Sequence, residues 1–506
     1  MISASSKLEN RLTSSVLTRL GLGSLLFLIA FIPRFYLTTT SRFTDDEAIF
    51  WNISKKIAEG EARPILGHPI SGGKASHPGS VFYYLMSVSQ IFSKTPEAAN
   101  IFVALINSAA VVLYWLALET VFTAFPALIT AIMFACSPWN LLASDRIWAS
   151  NVVNVFVLIA FWSALKLRQR PSSPWLIALV LTAGLLPQIH LTAPIVWVSL
   201  GALIWNIRRE LNYKILIIGM GLLLLAYTPY LASELKTGFS NLGFFLSESG
   251  GKGLNSNFLR VPLYAFRFLT TDISFHQLMG YWSSYRESQA FIAMVTGVSD
   301  YSFSILRLVL CLASIGFALW ACKAMFKRGG SVPQDLIDFR RSIVLGLGCN
   351  LTLLLLTRKN FYAHYSLPLI PFIFAVYANL LQEVAVDSKK RKLASVLVVA
   401  FILGGIETAL TVSRQIDGRN SLKAERFVLE TVLANPKIKE KGEIGLQFTF
   451  PGGSPLAYEL LAREIYGTNL RVLPSADEFN FELKALRQGV HPVDLVTKPR
   501  KASAVN

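Results

Sequence analysis

Apolar residues run in long blocks along this chain, separated by short polar and basic stretches. A helix needs roughly 20 predominantly apolar residues to cross a bilayer, because backbone polar groups in hydrocarbon must be satisfied within the segment itself. Eleven segments read as such spans: 20–37, 98–118, 121–137, 149–165, 174–188, 191–206, 215–232, 302–321, 342–357, 363–382 and 393–413. The first is longer than a signal-peptide core of about 7 to 15 residues, and no small-residue cleavage site follows Phe35-Tyr36-Leu37, so it reads as a retained span. The pair within 174–206 is short for two crossings and is broken by Pro187 and Pro194. Both its flanks are basic, however, which demands an even number of crossings.

Three longer stretches lie between or after the blocks: 38–97, 233–301 and the tail from Arg414. In the first, Ile49, Phe50, Ile53 and Ile57 keep the spacing of an amphipathic helix, and Val81-Phe82-Tyr83-Tyr84-Leu85 opens an apolar piece too short to span, suited to a helix lying in the interface. The tail alternates a helix-like 421–434, a strand-like 443–450, a Pro-Gly-Gly-Ser turn and a helix-like 455–466, the pattern of a small α/β domain. The expected fold is an all-α polytopic membrane protein with about 11 transmembrane helices and amphipathic helices in its first outer loop, followed by a small α/β domain.

Composition agrees with membrane embedding. The 506 residues are 53% hydrophobic and 16% charged, and the mean hydropathy is +0.47, whereas a soluble chain carries about a quarter charged residues. Nucleic-acid binding would be one use for 48 Lys and Arg against 31 Asp and Glu, but these positive charges fall between apolar runs instead of on one face. Their sidedness sets an orientation. With the N-terminus inside, the inside segments hold eighteen Lys and Arg, while the short outside turns 138–148, 189–190 and 358–362 hold only Arg146, Arg358 and Lys359. The predicted organisation is a cytoplasmic 1–19, a transmembrane region 20–413 with outer loops 38–97 and 233–301, and an outer tail domain 414–506. Cys136, Cys311, Cys322 and Cys349 lie in or beside the runs without metal-ligand spacing and read as core residues. The Lys389-Lys390-Arg391-Lys392 run reads as a topology anchor.

The most informative polar segment follows the first span: Arg34-Phe35-Tyr36, then Phe43-Thr44-Asp45-Asp46-Glu47-Ala48. Three adjacent carboxylates before an amphipathic stretch are an acidic helix start, with Asp45 or Asp46 as cap, or a general base or metal ligand at the membrane face; the two roles are compatible. Further along come His68-Pro69 and Lys74-Ala75-Ser76-His77-Pro78-Gly79. Glu407, inside the last span, is either a functional ionisable group or one that pairs within the bundle.

The order of these pieces resembles a known family. An apolar span ending Arg-Phe-Tyr, an outer Asp-Asp-Glu-Ala, an interfacial His-Pro-Gly followed by Phe-Tyr-Tyr-Leu, and a late Arg358-Lys359-Asn360-Phe361-Tyr362-Ala363-His364-Tyr365-Ser366-Leu367-Pro368-Leu369-Ile370-Pro371 look like the GT-C glycosyltransferases of the protein O-mannosyltransferase and aminoarabinose-transferase type, over residues 20 to 413. The resemblance implies inverting transfer of a sugar from a polyprenyl-phosphate-linked donor to a lipid, glycan or protein acceptor on the outer face, in the inner membrane of a bacterium. It implies Asp46 as general base, with Asp45 as rival because the extra aspartate shifts the register, and Glu47 to hold a metal or orient the site. No cofactor is identified; a divalent cation is the open option. For the donor phosphate the resemblance points to His77, Arg358, Lys359 and His364, with Arg34 at the same level. For Arg358 and Lys359 interfacial snorkelling is the other reading. Asp145, with Arg146, stands where the family has a second acidic position, or the two form a plain turn ion pair. Arg260 and Arg267 belong to an amphipathic lid over the donor or to a solvated loop face. The rival from another class is a transporter or flippase for lipid-linked saccharides, which internal repeats and midplane charges would favour. No repeat is seen in the sequence, and the ionisable residues gather at the outer mouth.

Overall fold

The computed structural model describes residues 16–70, 74–248, 265–271, 305–327, 333–356, 363–417, 421–434, 446–448, 455–467, 481–484 and 494–497. Helix α1 (Val16–Thr38) leads into the first loop, which carries α2 (Asp45–Ala58) and α3 (Val81–Phe92). Then come α4 (Pro96–Leu118), α5 (Ala124–Cys136), the short α6 (Pro138–Leu142), α7 (Ala149–Gln169), α8 (Trp175–Ile189), α9 (Val196–Ile204), α10 (Tyr213–Lys236) and α11 (Ser240–Glu248). Beyond the second loop lie α12 (Ile305–Met325), α13 (Gln334–Leu356), a 3-10 helix (Ala363–Leu369) running into α14 (Ile370–Val384), and α15 (Ser388–Asp417).

Within the described residues each of the eleven apolar segments overlaps a helix, and six stretches among them are long and apolar enough to cross a membrane: α1, α4, α7, α10, Tyr365–Val384 and Ser388–Leu410. Others are shorter. The 174–206 stretch is interrupted where α8 ends, just past its internal Pro187: His190 is extended (φ −151°, ψ 127°), and a 3-10 turn at Ala193–Ile195 restarts the helix. Pro187 and Pro194 explain the interruption, since proline removes a helical donor and crowds the preceding turn.

Side chains buried in the bundle are joined by a few polar ties. Tyr114 on α4 donates its hydroxyl to the Pro371 carbonyl at 2.8 Å. Arg340 on α13 reaches Asn379 and Glu383 on α14, both at 2.6 Å. At Gly405 on α15 the backbones come close: a Cβ there would collide with the Cys136 carbonyl oxygen at the end of α5. Only glycine lets these two helices meet so closely.

The tail contains α16 (Leu422–Leu433), β1 (Leu446–Phe448), α17 (Pro455–Tyr466), β2 (Phe481–Lys484) and β3 (Asp494–Thr497). The strands form one sheet in the order β1-β2-β3, with β1 and β2 parallel (Leu446 opposite Phe481) and β2 and β3 antiparallel (Phe481 opposite Thr497). Both tail helices pack near the first loop. The Leu422 amide donates to the Ser41 carbonyl at 3.0 Å, Lys55 on α2 forms an ion pair with Glu464 on α17, and Arg426 on α16 pairs with Glu97 at 3.0 Å.

Candidate active site

The acidic segment folds as the first turn of α2, and Thr44, not an aspartate, is its N-cap. The sequence Thr44-Asp45-Asp46-Glu47 is a capping box, in which a residue at the third helical position reaches back to the cap. Glu47 Oε2 accepts the Thr44 amide at 2.9 Å and the Thr44 hydroxyl as well. Successive residues of an α-helix project about 100° apart, so three adjacent carboxylates must face three directions.

Those directions divide the roles. Asp45 turns to the tail, where its Oδ1 accepts the Ala457 amide at 3.3 Å in the first turn of α17. It serves as the cap of a helix more than 400 residues away in sequence. Glu47 is buried, and its Oε1 takes Arg146 Nη1 at 2.7 Å. Asp46 is left facing out, its side chain 53% exposed, with His68 Nε2 3.6 Å from its Oδ1. Partial burial and then the Glu47 charge hold the Asp46 carboxyl above the usual carboxylate range, against the pull of His68, Arg146 and Arg42. Burial pushes His68 down from its usual value, so the two proton affinities move toward each other.

The histidines are delivered by a backbone pairing in the first loop. The His77 amide donates to the His68 carbonyl and the Gly67 amide to the His77 carbonyl, both at 3.1 Å. Asn241 of α11 clamps this pairing from the second loop, accepting the Ser76 amide at 2.6 Å and donating to the Ser76 carbonyl at 3.1 Å. Gly79 completes the turn at φ +136°, and a side chain there would collide with Gln188. The Phe50 ring meets His68 edge-on at 4.8 Å, while His77 stands 5.9 Å from His190. His77 is buried, and burial first, then His190 and His68, push it down to about 3. It is therefore a neutral hydrogen-bonding group at pH 7, not the cation expected for a phosphate partner.

The 143–148 turn supplies the remaining charges. Asn100 accepts the Ile147 amide at 2.9 Å and donates to the Ser41 hydroxyl at 2.6 Å, which fixes the turn beside the first loop. Arg146 lies 4.5 Å over the Trp148 ring and pairs with Glu47, so the ion pair within the turn expected between neighbours Asp145 and Arg146 gives way to one across 99 residues. Asp145 is buried with its Oδ1 unbonded, and burial raises its carboxyl to about 7 despite Arg146.

Several expected site residues are elsewhere. Arg34 is buried and donates Nη1 to the Ala30 carbonyl at 2.8 Å and the Ala135 carbonyl at 3.1 Å. The latter belongs to the last turn of α5, where carbonyls have run out of helical donors, so Arg34 ties α1 to α5 instead of facing a phosphate. Arg267 does not sit on a surface lid: residues 265–271 are packed inside, with Trp139 Nε1 on the Arg267 carbonyl at 3.0 Å and Tyr377 donating to the Leu269 carbonyl. Arg260, Arg358 and Lys359 lie outside the described residues, as does the side chain of His364. Glu407 is half-buried on α15. Among the described residues, no group of three or more His, Cys, Asp or Glu is gathered to hold a metal ion.

Sequence reasoning gave no role to His68, His190 or Glu425, a tail carboxyl buried beside Asp45 and Glu47. The T-x-x-E capping box was the one local signal that would have separated Glu47 from its neighbours. The division of roles carries a test. Asp45→Ala should cost about 1 kcal/mol of tail docking, the usual loss of a helix cap. Limited proteolysis should then cut the tail faster, with any catalytic rate lowered only a few-fold; an unchanged digestion pattern would show that Asp45 does not hold α17.

No family model matches the chain, and no curated protein matches it. Among solved structures it is similar to ArnT from Cupriavidus metallidurans in the apo state, at 13% identity and a TM-score of 0.55, covering 90% of this chain and 86% of that one. ArnT from the same organism bound to undecaprenyl phosphate matches at 15% identity and a TM-score of 0.46, with the same coverage. The Archaeoglobus fulgidus oligosaccharyltransferase in the apo form matches at 14% identity and a TM-score of 0.45, covering 93% of this chain and 66% of that one. The likeness to apo ArnT shows that the chain has the GT-C fold.

Proposed function

We propose that this protein is a membrane glycosyltransferase that moves a sugar from a polyprenyl-phosphate-linked donor to an acceptor on the outer face, with inversion. The observation that carries the reading is the isolation of Asp46. Its two neighbours are engaged, Asp45 with the tail helix and Glu47 with Arg146, while Asp46 faces outward beside His68. An acceptor hydroxyl delivers its proton to Asp46, its oxygen attacks the anomeric carbon, and the bond from that carbon to the phosphate oxygen breaks. The polyprenyl phosphate leaves with the bonding electrons, and donors aimed at it favour the departure.

For those donors the reading assigns His77 as a neutral hydrogen-bond donor, Arg358 and Lys359 as the charged side of the site, and His364 as a further partner. In this reading the N-terminus is cytoplasmic, the first loop and the tail domain lie outside, and the membrane is the inner membrane of a bacterium. The acceptor is a lipid, a glycan or a protein. The GT-C fold supports the reading.

The test uses purified protein in proteoliposomes with radiolabelled polyprenyl-phosphate sugars and an extract of envelope acceptors. Label is expected to leave the donor lipid and appear on an acceptor. Labelled donor that crosses the bilayer chemically unchanged would replace this reading with that of a flippase.

A further inference from the structure

Glu425 is only 1% exposed, in the first turn of α16, and its Oε2 has no hydrogen-bond partner. The helix is pinned at its start. Ser421 caps it, its hydroxyl accepting the Ala424 amide at 3.1 Å, the Leu422 amide donates to the Ser41 carbonyl at 3.0 Å, and Ser421 pairs with Arg42 as an isolated bridge. The titratable and charged groups that face Glu425 are Asp45 and Glu47 from α2, Arg42 from the segment before α2, and Tyr458 from α17. Asp45 in turn holds the first turn of α17. The tail thus closes over the acidic start of α2 on two sides, and at the centre of the closure it places a fourth carboxyl beside two that are already committed.

Burying a charged carboxylate next to two others is costly, because desolvation and like-charge repulsion act in the same direction. We propose that Glu425 is a positioning residue, an uncharged carboxylic acid that the tail inserts against Asp45 and Glu47 to hold the start of α2 in place while leaving Asp46 to exchange protons with substrate. The inference rests on the transferase reading of Asp46. Burial, then Glu47 and Asp45, raise the Glu425 carboxyl well above its usual range, with Arg42 opposing. The docked tail therefore binds a proton that the undocked tail releases. The sign follows: this contribution to docking is full below the ordinary carboxylate range and is lost as pH rises through the raised value.

Three variants test it in the full-length protein. Infrared spectra of wild type near neutral pH should contain a protonated-carboxyl band that Glu425→Gln removes; a wild-type spectrum without that band overturns the proposal. Glu425→Gln, the isosteric neutral group, should keep transfer within about twofold and weaken the pH dependence of tail proteolysis, leaving the part due to Asp45, whereas Glu425→Ala should lower kcat by about tenfold to a hundredfold through misplacement of Asp46. Glu425→Asp, with its carboxyl withdrawn by a methylene, should fall between them. A Gln variant as impaired as the Ala variant shows that an ionised carboxylate is required, and an Ala variant equal to wild type shows no positioning role. Either result ends the proposal. If wild type transfers no sugar at all, the transferase reading fails, and the infrared band and the pH-dependent proteolysis still decide the state of Glu425.

Discussion

Asp46→Asn is expected to lower sugar transfer by about 10²- to 10⁴-fold, the usual contribution of a general base, while leaving the fold intact. The change is isosteric, and Asp46 is the exposed member of its trio, so its stability cost should stay within about 0.5 kcal/mol. Its loose 3.6 Å approach to His68 is no buried ion pair. The pH profile gives a second reading of the same group. A base works when deprotonated, and Asp46 is held above the usual carboxylate range, so kcat/KM should rise with pH through an apparent value above that range. Because His68 and Asp46 interact, the value belongs to the pair. Donor binding by the Asn variant, measured separately, distinguishes a lost base from a lost site. Should Asp46→Asn turn over normally while Asp45→Asn is dead, the base is Asp45 and the division of roles on α2 is wrong.

The other large effect concerns stability. Arg146→Met should destabilise the protein by about 3 to 5 kcal/mol, because it strands Glu47 as an unpaired buried charge. Both partners are sealed, with side chains 5% and 2% exposed and an N–O distance of 2.7 Å. The loss also reaches Asp145, whose carboxyl is lowered by Arg146 and raised by burial. Thermal unfolding in detergent should show the drop. Adding Glu47→Leu to Arg146→Met should recover much of it, since a buried pair replaced by apolar groups is often neutral. Activity should not return with stability, because Glu47 also anchors Thr44 and with it the start of α2. An Arg146→Met protein that melts like wild type would remove the pair from any structural role.

How much of this was legible in the sequence depended on range. The apolar blocks were readable because a membrane imposes its length on every crossing helix, and even the proline-broken stretch announced itself through Pro187 and Pro194. That the break exposes an extended His190 beside His77 was not readable, since it depends on how α8 and the first loop pack. The acidic triplet could be found but not apportioned. Its three members are distinguished by Ala457, His68 and Arg146, partners remote from the triplet or, for His68, brought back by a loop pairing. Arg34 shows the opposite failure. It was expected beside the donor phosphate, yet its guanidinium bonds a helix-end carbonyl.

The cap that Asp45 provides to α17 has a meaning in time as well as space. Its hydrogen bond joins residues 412 positions apart. At a synthesis rate of about 5 to 20 residues per second, the first loop waits on the order of 20 to 80 s for Ala457 to be made. For most of that interval the acidic turn of α2 has neither its tail helix nor Glu425 against it. A nascent chain therefore carries the proposed base without its cover, and a chain stalled before α17 would be unfinished at the site. Synthesis of α16 and α17 is the step that covers the site.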